Sequence, residues 1–235
     1  MTLAIPLAAA ALLACSSGAA APEAGEAYAQ QRERMVREQV EARGVSDPLT
    51  LAALRKVPRH ELVPEAVRAS AYSDQPLPIG HEQTISQPYI VAFMTQALGL
   101  KGGERVLEVG TGSGYQAAVL AHIAGEVYTV EIVQPLAERA RADLARLGYR
   151  NVHVRAGDGY RGWPEAAPFD AIVVTAAAPR IPEPLVEQLE EGGRLVIPVG
   201  ELLQQLRVLE RRAGRLHEVE RLPVRFVPMT GEIRR

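Results

Sequence analysis

The feature that most constrains the fold is an apolar run that leads directly into a glycine-rich segment. Val106-Leu107-Glu108-Val109 precedes Gly110-Thr111-Gly112-Ser113-Gly114, and helical spacing follows. A strand that passes through glycines into a helix is typical of an open parallel sheet, in which ligands lie beyond the carboxyl ends of the strands. Glycine at such a turn lets the backbone approach a ligand closely. The segment therefore predicts an α/β fold with a ligand site at this edge of the sheet.

The rest of the second half of the chain repeats this alternation of apolar runs and helical stretches. The pattern predicts a doubly wound, mostly parallel, Rossmann-like sheet covered on both faces. The turn-like segment Arg211–Gly214 separates the last two runs and predicts a C-terminal antiparallel hairpin. The expected sheet strands are Arg105–Val109, Val127–Glu131, Val152–Arg155, Ala171–Thr175 and Arg194–Pro198, followed by hairpin strands Leu206–Glu210 and Leu216–Phe226. The expected helices of this half are Gly114–Ile123, Pro135–Leu147 and Glu183–Leu189.

The preceding half of the chain predicts a helical extension. Helical spacing over Ala27–Arg43 ends at Gly44, and prolines open two further expected helices, Pro48–Val57 and Pro88–Leu98. Pro58–Gln87 has no clear periodicity and is punctuated by prolines. A long irregular segment inside a compact protein is usually functional or poorly ordered. Residues 27–235 are expected to form a single domain.

The first 26 residues need a separate interpretation. Met1–Ala14 is almost wholly apolar, and the following Cys15-Ser16 resembles a lipoprotein cleavage site. Cys15 would then carry a lipid, and Ser16–Glu26 would be a flexible tether. No Lys or Arg precedes the apolar run, whereas a signal peptide normally starts with positive charge. Export as a lipoprotein, retention in the cytoplasm and a wrongly chosen start codon stay open as alternatives.

Composition narrows the classes of partner. The net charge of the 235 residues is −2, so the generally basic surface that attracts nucleic acid is absent. The chain has one Cys, and its five His residues form no ligand-spaced cluster, so no zinc pattern is present. We therefore expect a protein that needs neither nucleic acid nor a metal ion, and we expect it to act as a monomer.

The spacing of the glycines and two acidic residues predict the cofactor. Gly110, Gly112 and Gly114 follow a Gly-x-Gly-x-Gly pattern, not the Gly-x-Gly-x-x-Gly of dinucleotide sites. Glu131 ends the next strand, about twenty residues further on, where a carboxylate can accept ribose hydroxyls. Asp158 follows the third strand, where it can accept from an adenine amino group. Either acid alone also fits a solvated charge at a strand end, but together with the glycines they favour S-adenosylmethionine, which has a ribose and no pyrophosphate.

The segment from Leu77 to Tyr89 contains Thr84-Ile85-Ser86-Gln87-Pro88. Taken alone, it has two interpretations: an active-site loop, or a connection whose Thr84 or Ser86 caps the helix that starts at Pro88. With other motifs it resembles the protein-L-isoaspartate O-methyltransferase family over roughly residues 35–230. The matching pieces are Val57–His60, Ala71–Asp74, Leu77–Gly80, Gln83–Tyr89, Val106–Gln116, Gly157–Gly159, Phe169–Ala177 and Gly192–Gly200.

The resemblance implies methyl transfer from S-adenosylmethionine to the α-carboxyl of L-isoaspartyl, and to D-aspartyl, residues of damaged proteins and peptides, with repair through a succinimide. It implies Ser86 as the catalytic residue. Cofactor contacts are expected at Thr84, Ile85, Gln87, Glu108, Gly110, Gly112, Gly114, Glu131, Asp158 and Gly159. Substrate contacts are expected at His81, Tyr89, Val227, Pro228, Met229 and Thr230. After Thr230 the chain departs from the family pattern, which leaves contacts of the last five residues open.

Two alternatives remain. A methyltransferase acting on a small molecule would need only the glycine-rich turn. An envelope-anchored binding protein that has lost catalysis would keep the fold, although intact Ser86, Glu108, Glu131 and Asp158 argue against it. A dehydrogenase is disfavoured by the glycine spacing.

Overall fold

The computed structural model describes residues 24–234, and its central element is a seven-stranded sheet in the order β5-β4-β3-β6-β7-β8-β9. The first five strands in this order are parallel, and β8 and β9 form an antiparallel hairpin on the β7 edge. The strands are β3 (Arg105–Val109), β4 (Glu126–Glu131), β5 (Val152–Ala156), β6 (Phe169–Val174), β7 (Leu189–Val199), β8 (Gln204–Arg212) and β9 (Arg215–Val224). A separate two-stranded hairpin consists of β1 (Leu77–Gly80) and β2 (Gln83–Ile85).

Six α-helices accompany the strands within the described residues: α1 (Ala24–Met35), α2 (Pro48–Lys56), α3 (Pro88–Ala97), α4 (Tyr115–Ala121), α5 (Gln134–Arg146) and α6 (Glu183–Glu187). None of these helices is long and apolar enough to span a bilayer. The end of α1 widens into a π-helical turn and closes at Gly44, whose φ of 92° terminates it. Asp47 caps α2 by accepting from the Thr50 N–H at 2.7 Å, just before Pro48.

The sheet is buried on both faces, as its apolar strands require. Along β3, Val106 packs into the cluster that includes α2, α3 and α4, whereas its neighbour Leu107 packs into a cluster on the opposite face. The chain winds from β3 to β4 and β5 in one direction and from β6 to β7 in the other. The switch point of the winding therefore lies between β3 and β6, where the glycine-rich turn leaves the sheet. The predicted fold class is confirmed.

Several predicted bounds need correction. Leu189 begins β7 instead of ending α6, and β7 is much longer than predicted because its first residues pair with the start of β6. The C-terminal hairpin is also longer, since Arg211 and Arg212 belong to β8. Its turn is only Ala213-Gly214, both with positive φ, which is the geometry that continues a twisted hairpin.

The segment predicted as irregular contains the β1–β2 hairpin. Its turn is His81-Glu82, with φ of 52° and 59°. Neither residue carries the Asn-Gly or Asp-Gly signal of tight hairpins, and Pro78 lies within β1, so the pattern was not recognisable as a hairpin.

The N-terminal predictions fall mostly beyond the described part of the chain. Met1–Ala14, the lipid site at Cys15 and most of the tether lie outside the described residues. The last tether residues, Ala24–Glu26, are instead the first turn of α1, three residues before the predicted start.

Candidate active site

A cleft opens where β3 and β4 end, beside the glycine-rich turn, and we call it the glycine-loop cleft. Segments from six parts of the chain converge on it, four of them at the carboxyl ends of parallel strands, which lie at one edge of the sheet. Its lining is formed by residues 83–86, 91, 108–113, 115–116, 130–132, 159, 175–176 and 227–230.

Glu131 at the end of β4 is held on both sides of its carboxylate. Oε2 accepts the Gly112 N–H at 2.8 Å, and Oε1 accepts the Val133 N–H at 2.9 Å. The residue is only 5% exposed. Each oxygen retains a further lone pair toward the cleft. The carboxylate is therefore a fixed, paired acceptor of the kind that binds the two hydroxyls of a ribose.

Glu108 lies deeper, within β3, and is fully buried. Its Oε2 bonds to the Thr129 hydroxyl, which is in turn 2.6 Å from the Thr111 hydroxyl. Its Oε1 has no hydrogen-bond partner among the described residues. Burial raises the pKa of Glu108 to about 8; the Thr129 hydroxyl opposes this shift and the charge of Glu131 adds to it. The unsatisfied oxygen is thus available to a hydrogen-bond donor or cation in the cleft.

The glycines of the turn have different tasks. Gly110 has a φ of 99°, and its carbonyl accepts from the Thr175 hydroxyl at 2.6 Å; a Cβ on Gly110 would collide with that oxygen. Gly114 does not line the cleft. With a φ of 82° it starts α4, and a Cβ there would be 3.2 Å from the Leu144 side chain of α5. Its observed role is helix packing, and its predicted cofactor contact stays a prediction.

Asp158 lies beside the cleft, and its predicted cofactor contact stays a prediction. Its Oδ1 accepts the Tyr160 N–H at 3.0 Å, and its Oδ2 accepts the Glu232 N–H at 2.7 Å. The side chain does not line the glycine-loop cleft, although neighbouring Gly159 does. The carboxylate holds the C-terminal segment, which lies against it: a Cβ on Gly231 would be 2.5 Å from its oxygens.

Ser86 lies between β2 and α3. The N-cap of α3 is Gln87, and no side chain caps the helix, so the interpretation of Thr84 or Ser86 as a cap is wrong. The Ser86 carbonyl accepts from Nη2 of Arg59 at 2.7 Å. The residue is consequently held from behind while its side chain remains available to the cleft.

A second, larger depression adjoins the first, and we call it the outer groove. It is lined by Arg43, Pro76, Thr84, Ser86, Gln87, Tyr89, Ile90, Thr175 and residues 222–227. Four residues line both spaces: Thr84, Ser86, Thr175 and Val227. The two spaces therefore meet at Ser86, as a donor site and an acceptor site must in a transfer reaction.

The C-terminal segment, residues 227–234, forms one wall. The Ala177 N–H donates to the Val227 carbonyl, and the Met229 N–H donates to the Ala177 carbonyl, each at 2.8 Å. Ile233 is fully buried in the cluster beneath β6 and β7. This anchor extends beyond Thr230, to residues whose contacts the sequence analysis left open.

Most of the residues predicted for the site come together. The glycine-loop cleft contains Thr84, Ile85, Ser86, Glu108, Gly110, Gly112, Glu131, Gly159, Val227, Pro228, Met229 and Thr230. The outer groove contains Gln87 and Tyr89. The structure does not bring Gly114, Asp158 or His81 to either space, and His81 is exposed at the hairpin turn.

The sequence interpretation missed other lining residues. Thr175 is the clearest, because it directly follows β6 and so lies at a strand end, as Glu131 does. Residues 222–226 were missed since they form the end of the edge strand β9 and the two residues after it, which carry no motif. Within residues 24–234, no three His, Cys, Asp or Glu side chains cluster as metal ligands would.

Comparison with known families identifies close relatives. Residues 30–234 match the family model described as protein-L-isoaspartate(D-aspartate) O-methyltransferase. A protein-L-isoaspartate O-methyltransferase of Opitutus terrae is 62% identical over 208 residues, covering 88% of this chain and 89% of the relative. One from Gloeobacter violaceus is 59% identical over 200 residues, covering 84% and 98%.

Solved structures of similar proteins have the same fold as this chain. A protein-L-isoaspartate O-methyltransferase superimposes with a TM-score of 0.80 at 33% identity, covering 86% of this chain and 67% of that structure. A Plasmodium falciparum protein described as of the same kind, in complex with S-adenosyl-L-homocysteine, gives a TM-score of 0.73 at 28% identity, covering 86% and 98%.

Proposed function

The chain belongs to the protein-L-isoaspartate(D-aspartate) O-methyltransferase family, and from this membership and its two adjoining spaces we propose that it methylates damaged aspartyl sites. It transfers the methyl group of S-adenosylmethionine to the α-carboxyl of L-isoaspartyl, and to D-aspartyl, residues in proteins and peptides. The methyl ester has a better leaving group than a carboxylate, so the next backbone nitrogen attacks the ester carbonyl, methanol leaves and a succinimide forms. Hydrolysis of the succinimide returns some normal aspartate.

One observation carries this proposal. Ser86 and Thr84 line both the glycine-loop cleft and the outer groove. The cleft suits a nucleoside, and the larger adjoining groove suits a peptide. A methyltransferase of small molecules would need an enclosed acceptor pocket instead. The position of Ser86 at the junction supports its role as the residue that touches the acceptor.

The residues of the cleft fit S-adenosylmethionine, which supplies an electrophilic methyl group on a sulfonium when it is bound. Glu131 would accept the ribose hydroxyls, as its two fixed oxygens indicate. The unsatisfied Oε1 of Glu108 would accept from a donor or face a cationic group. The backbone at Gly110 and Gly112 leaves room for close approach. The complex of the Plasmodium relative with S-adenosyl-L-homocysteine is in keeping with this assignment.

The reaction requires little of the protein beyond positioning the two reactants. A carboxylic acid with a pKa near ~4 is already ionised at neutral pH, so no general base is required. A neutral hydroxyl at Ser86 orients the carboxylate without binding it so strongly that its reactivity is lost. Residues 227–230 exclude water, which strengthens attraction between the carboxylate and a cationic donor. Orientation of this kind contributes up to roughly 7–11 kcal/mol in well-aligned systems.

A matched pair of peptides tests the function. The full chain is incubated with methyl-labelled S-adenosylmethionine and an isoaspartyl peptide, or with the same peptide carrying normal aspartate. We expect label only in the isoaspartyl peptide, and we expect Ser86→Ala to lose much of kcat while S-adenosylhomocysteine binds unchanged. Equal labelling of both peptides would support the small-molecule or unspecific alternative, and absence of labelling would support the binding protein.

We further propose that the enzyme acts in the cytoplasm as a monomer, without a metal or nucleic acid. A net charge of −2 and the cytosolic origin of the cofactor support this proposal. The alternative is an exported lipoprotein anchored through Cys15. Mass spectrometry of the protein from its native host distinguishes the two, since an anchored form begins at a lipid-bearing Cys15.

A further inference from the structure

Arg59 is the most unusual buried group near the active site. It begins the 3-10 turn Arg59–Leu62, far from the glycine loop in sequence, and is 0% exposed. Burial lowers the pKa of its guanidinium to about 10, which leaves it charged at neutral pH. Within the described residues no carboxylate forms an ion pair with it. Asp74 pairs with Arg43. A buried charge without an ionic partner is costly.

The contacts of Arg59 explain what the charge is used for. Nε donates to the Ala71 carbonyl and Nη2 donates to the Ser86 carbonyl, both at 2.7 Å. The guanidinium carbon lies 4.6 Å from the centroid of the Tyr115 ring. Tyr115 is the first residue of α4, directly after the glycine-rich turn, and it lines the glycine-loop cleft. One rigid, planar group thus contacts the acceptor segment on one side and the donor segment on the other.

The backbone of Ser86 has few hydrogen-bond partners near it in the sequence, so it needs a distant donor such as Arg59. It follows the last residue of β2, and Pro88 beyond it has no N–H to donate. Among the described residues, Arg59 is the donor that its carbonyl finds. The position of the Ser86 hydroxyl relative to the glycine loop therefore depends on this hydrogen bond.

We propose that Arg59 is a positioning residue that fixes the distance between the Ser86 hydroxyl and the donor bound at the glycine loop. The proposal rests on the proposed function, because it assigns Arg59 an effect through Ser86. A planar guanidinium is suited to this task since it bonds two carbonyls while its face rests on a ring. Misplacement by about 1 Å costs on the order of 100-fold in rate.

A double-mutant cycle tests the proposal. Arg59→Lys keeps the charge but replaces the planar group with a single ammonium, and we expect it to lower kcat about 10- to 100-fold. In a Ser86→Ala background the same change should lower kcat less than about threefold, because the group that it positions is already gone. Calorimetric affinity for S-adenosylhomocysteine and for the isoaspartyl peptide should stay within about threefold of wild type. Arg211→Lys is the matched control, since Arg211 also bonds backbone carbonyls, those of Val186 and Leu189, away from the site.

Arg59→Gln is the second variant, in case the lysine variant does not fold. It removes the buried charge and still donates one hydrogen bond, so it avoids an unpaired cation. An equal loss of kcat with and without Ser86, or a parallel loss of S-adenosylhomocysteine affinity, would overturn the positioning role and leave only a structural one. Unchanged kcat in both variants would overturn it as well. These results differ from failure of the proposed function, in which the wild-type protein itself leaves the isoaspartyl peptide unmethylated.

Discussion

The donor side and the acceptor side of the active site are built in different ways. On the donor side, the glycine-rich turn and Glu131 follow neighbouring parallel strands, and backbone N–H groups hold the carboxylate on both sides. On the acceptor side, Ser86 and the C-terminal segment are held by bonds from distant parts of the chain, from Arg59 and Asp158. The donor side is therefore fixed by the sheet itself, whereas the acceptor side is assembled from a few long-range contacts. Substitutions should accordingly separate into effects on cofactor affinity and effects on the use of the peptide.

The largest expected effect is on the donor side. Glu131→Ala removes the acceptor of two backbone N–H groups together with the proposed ribose contact. Hydrogen bonds to charged groups contribute about 1.5–3 kcal/mol each, so we expect S-adenosylhomocysteine to bind at least about 100-fold more weakly by calorimetry. Glu126→Ala is the control, since Glu126 begins the same strand and pairs with His153 on the surface. Affinity within threefold of wild type would show that the donor side does not depend on this carboxylate.

The next effect is a pH dependence of the same site. Because the pKa of Glu108 is about 8, most of the ligand-free protein carries a proton there at pH 7. A cationic donor favours the ionised carboxylate. The affinity for S-adenosylmethionine should therefore rise with pH and level off above pH 8. The expected gain between pH 7 and pH 9 is about tenfold.

Glu108→Gln separates this titration from that of the ligand. The variant cannot ionise, so the wild-type affinity divided by that of the variant should rise with pH, and a flat ratio would contradict the assignment. The stability of the ligand-free protein changes with pH in the opposite direction to its affinity for the donor. The folded chain keeps a proton that the unfolded chain releases near pH 4.5, so the free energy of unfolding of ligand-free wild type falls, relative to the variant, as pH rises from about 4.5 to about 8.

A moderate effect is expected where the acceptor side is anchored. Ile233→Ala leaves a cavity under the C-terminal segment, which loosens residues 227–234 without opening the sheet. We expect KM for the isoaspartyl peptide to rise about fivefold, with faster amide hydrogen exchange confined to this segment. Val219→Ala on the half-exposed edge strand is the control. A larger change in S-adenosylhomocysteine affinity than in peptide KM would place the anchor on the donor side instead.

The difference between the donor side and the acceptor side also explains which features could be predicted from the sequence. The glycine turn and Glu131 were located correctly because strand, turn and helix are local patterns, and parallel strands bring their ends together. Asp158 and His81 line neither space, since the first holds residues 231–232 and the second lies in an unrecognised hairpin turn, and their expected contacts stay predictions. Arg59 lies in the matching piece Val57–His60, but nothing in the sequence linked it to Ser86, which is 27 residues away and is joined to it only by tertiary structure.

The smallest effect is expected at the outer rim of the acceptor side. The Arg43 guanidinium lies 3.4 Å from the centroid of the Tyr89 ring and pairs with Asp74 at 2.9 Å. Exposed cation–π contacts and exposed ion pairs contribute about 0.5–1 kcal/mol or less. Arg43→Gln should therefore raise the KM for the peptide about two- to threefold and leave kcat unchanged. Arg37→Gln, which breaks only an exposed pair with Glu38, is the control in the same steady-state assay. A loss of tenfold or more in kcat would mean that Tyr89 helps to orient the reacting carboxylate. The acceptor side would then be as preorganised as the donor side, and the difference between the two would disappear.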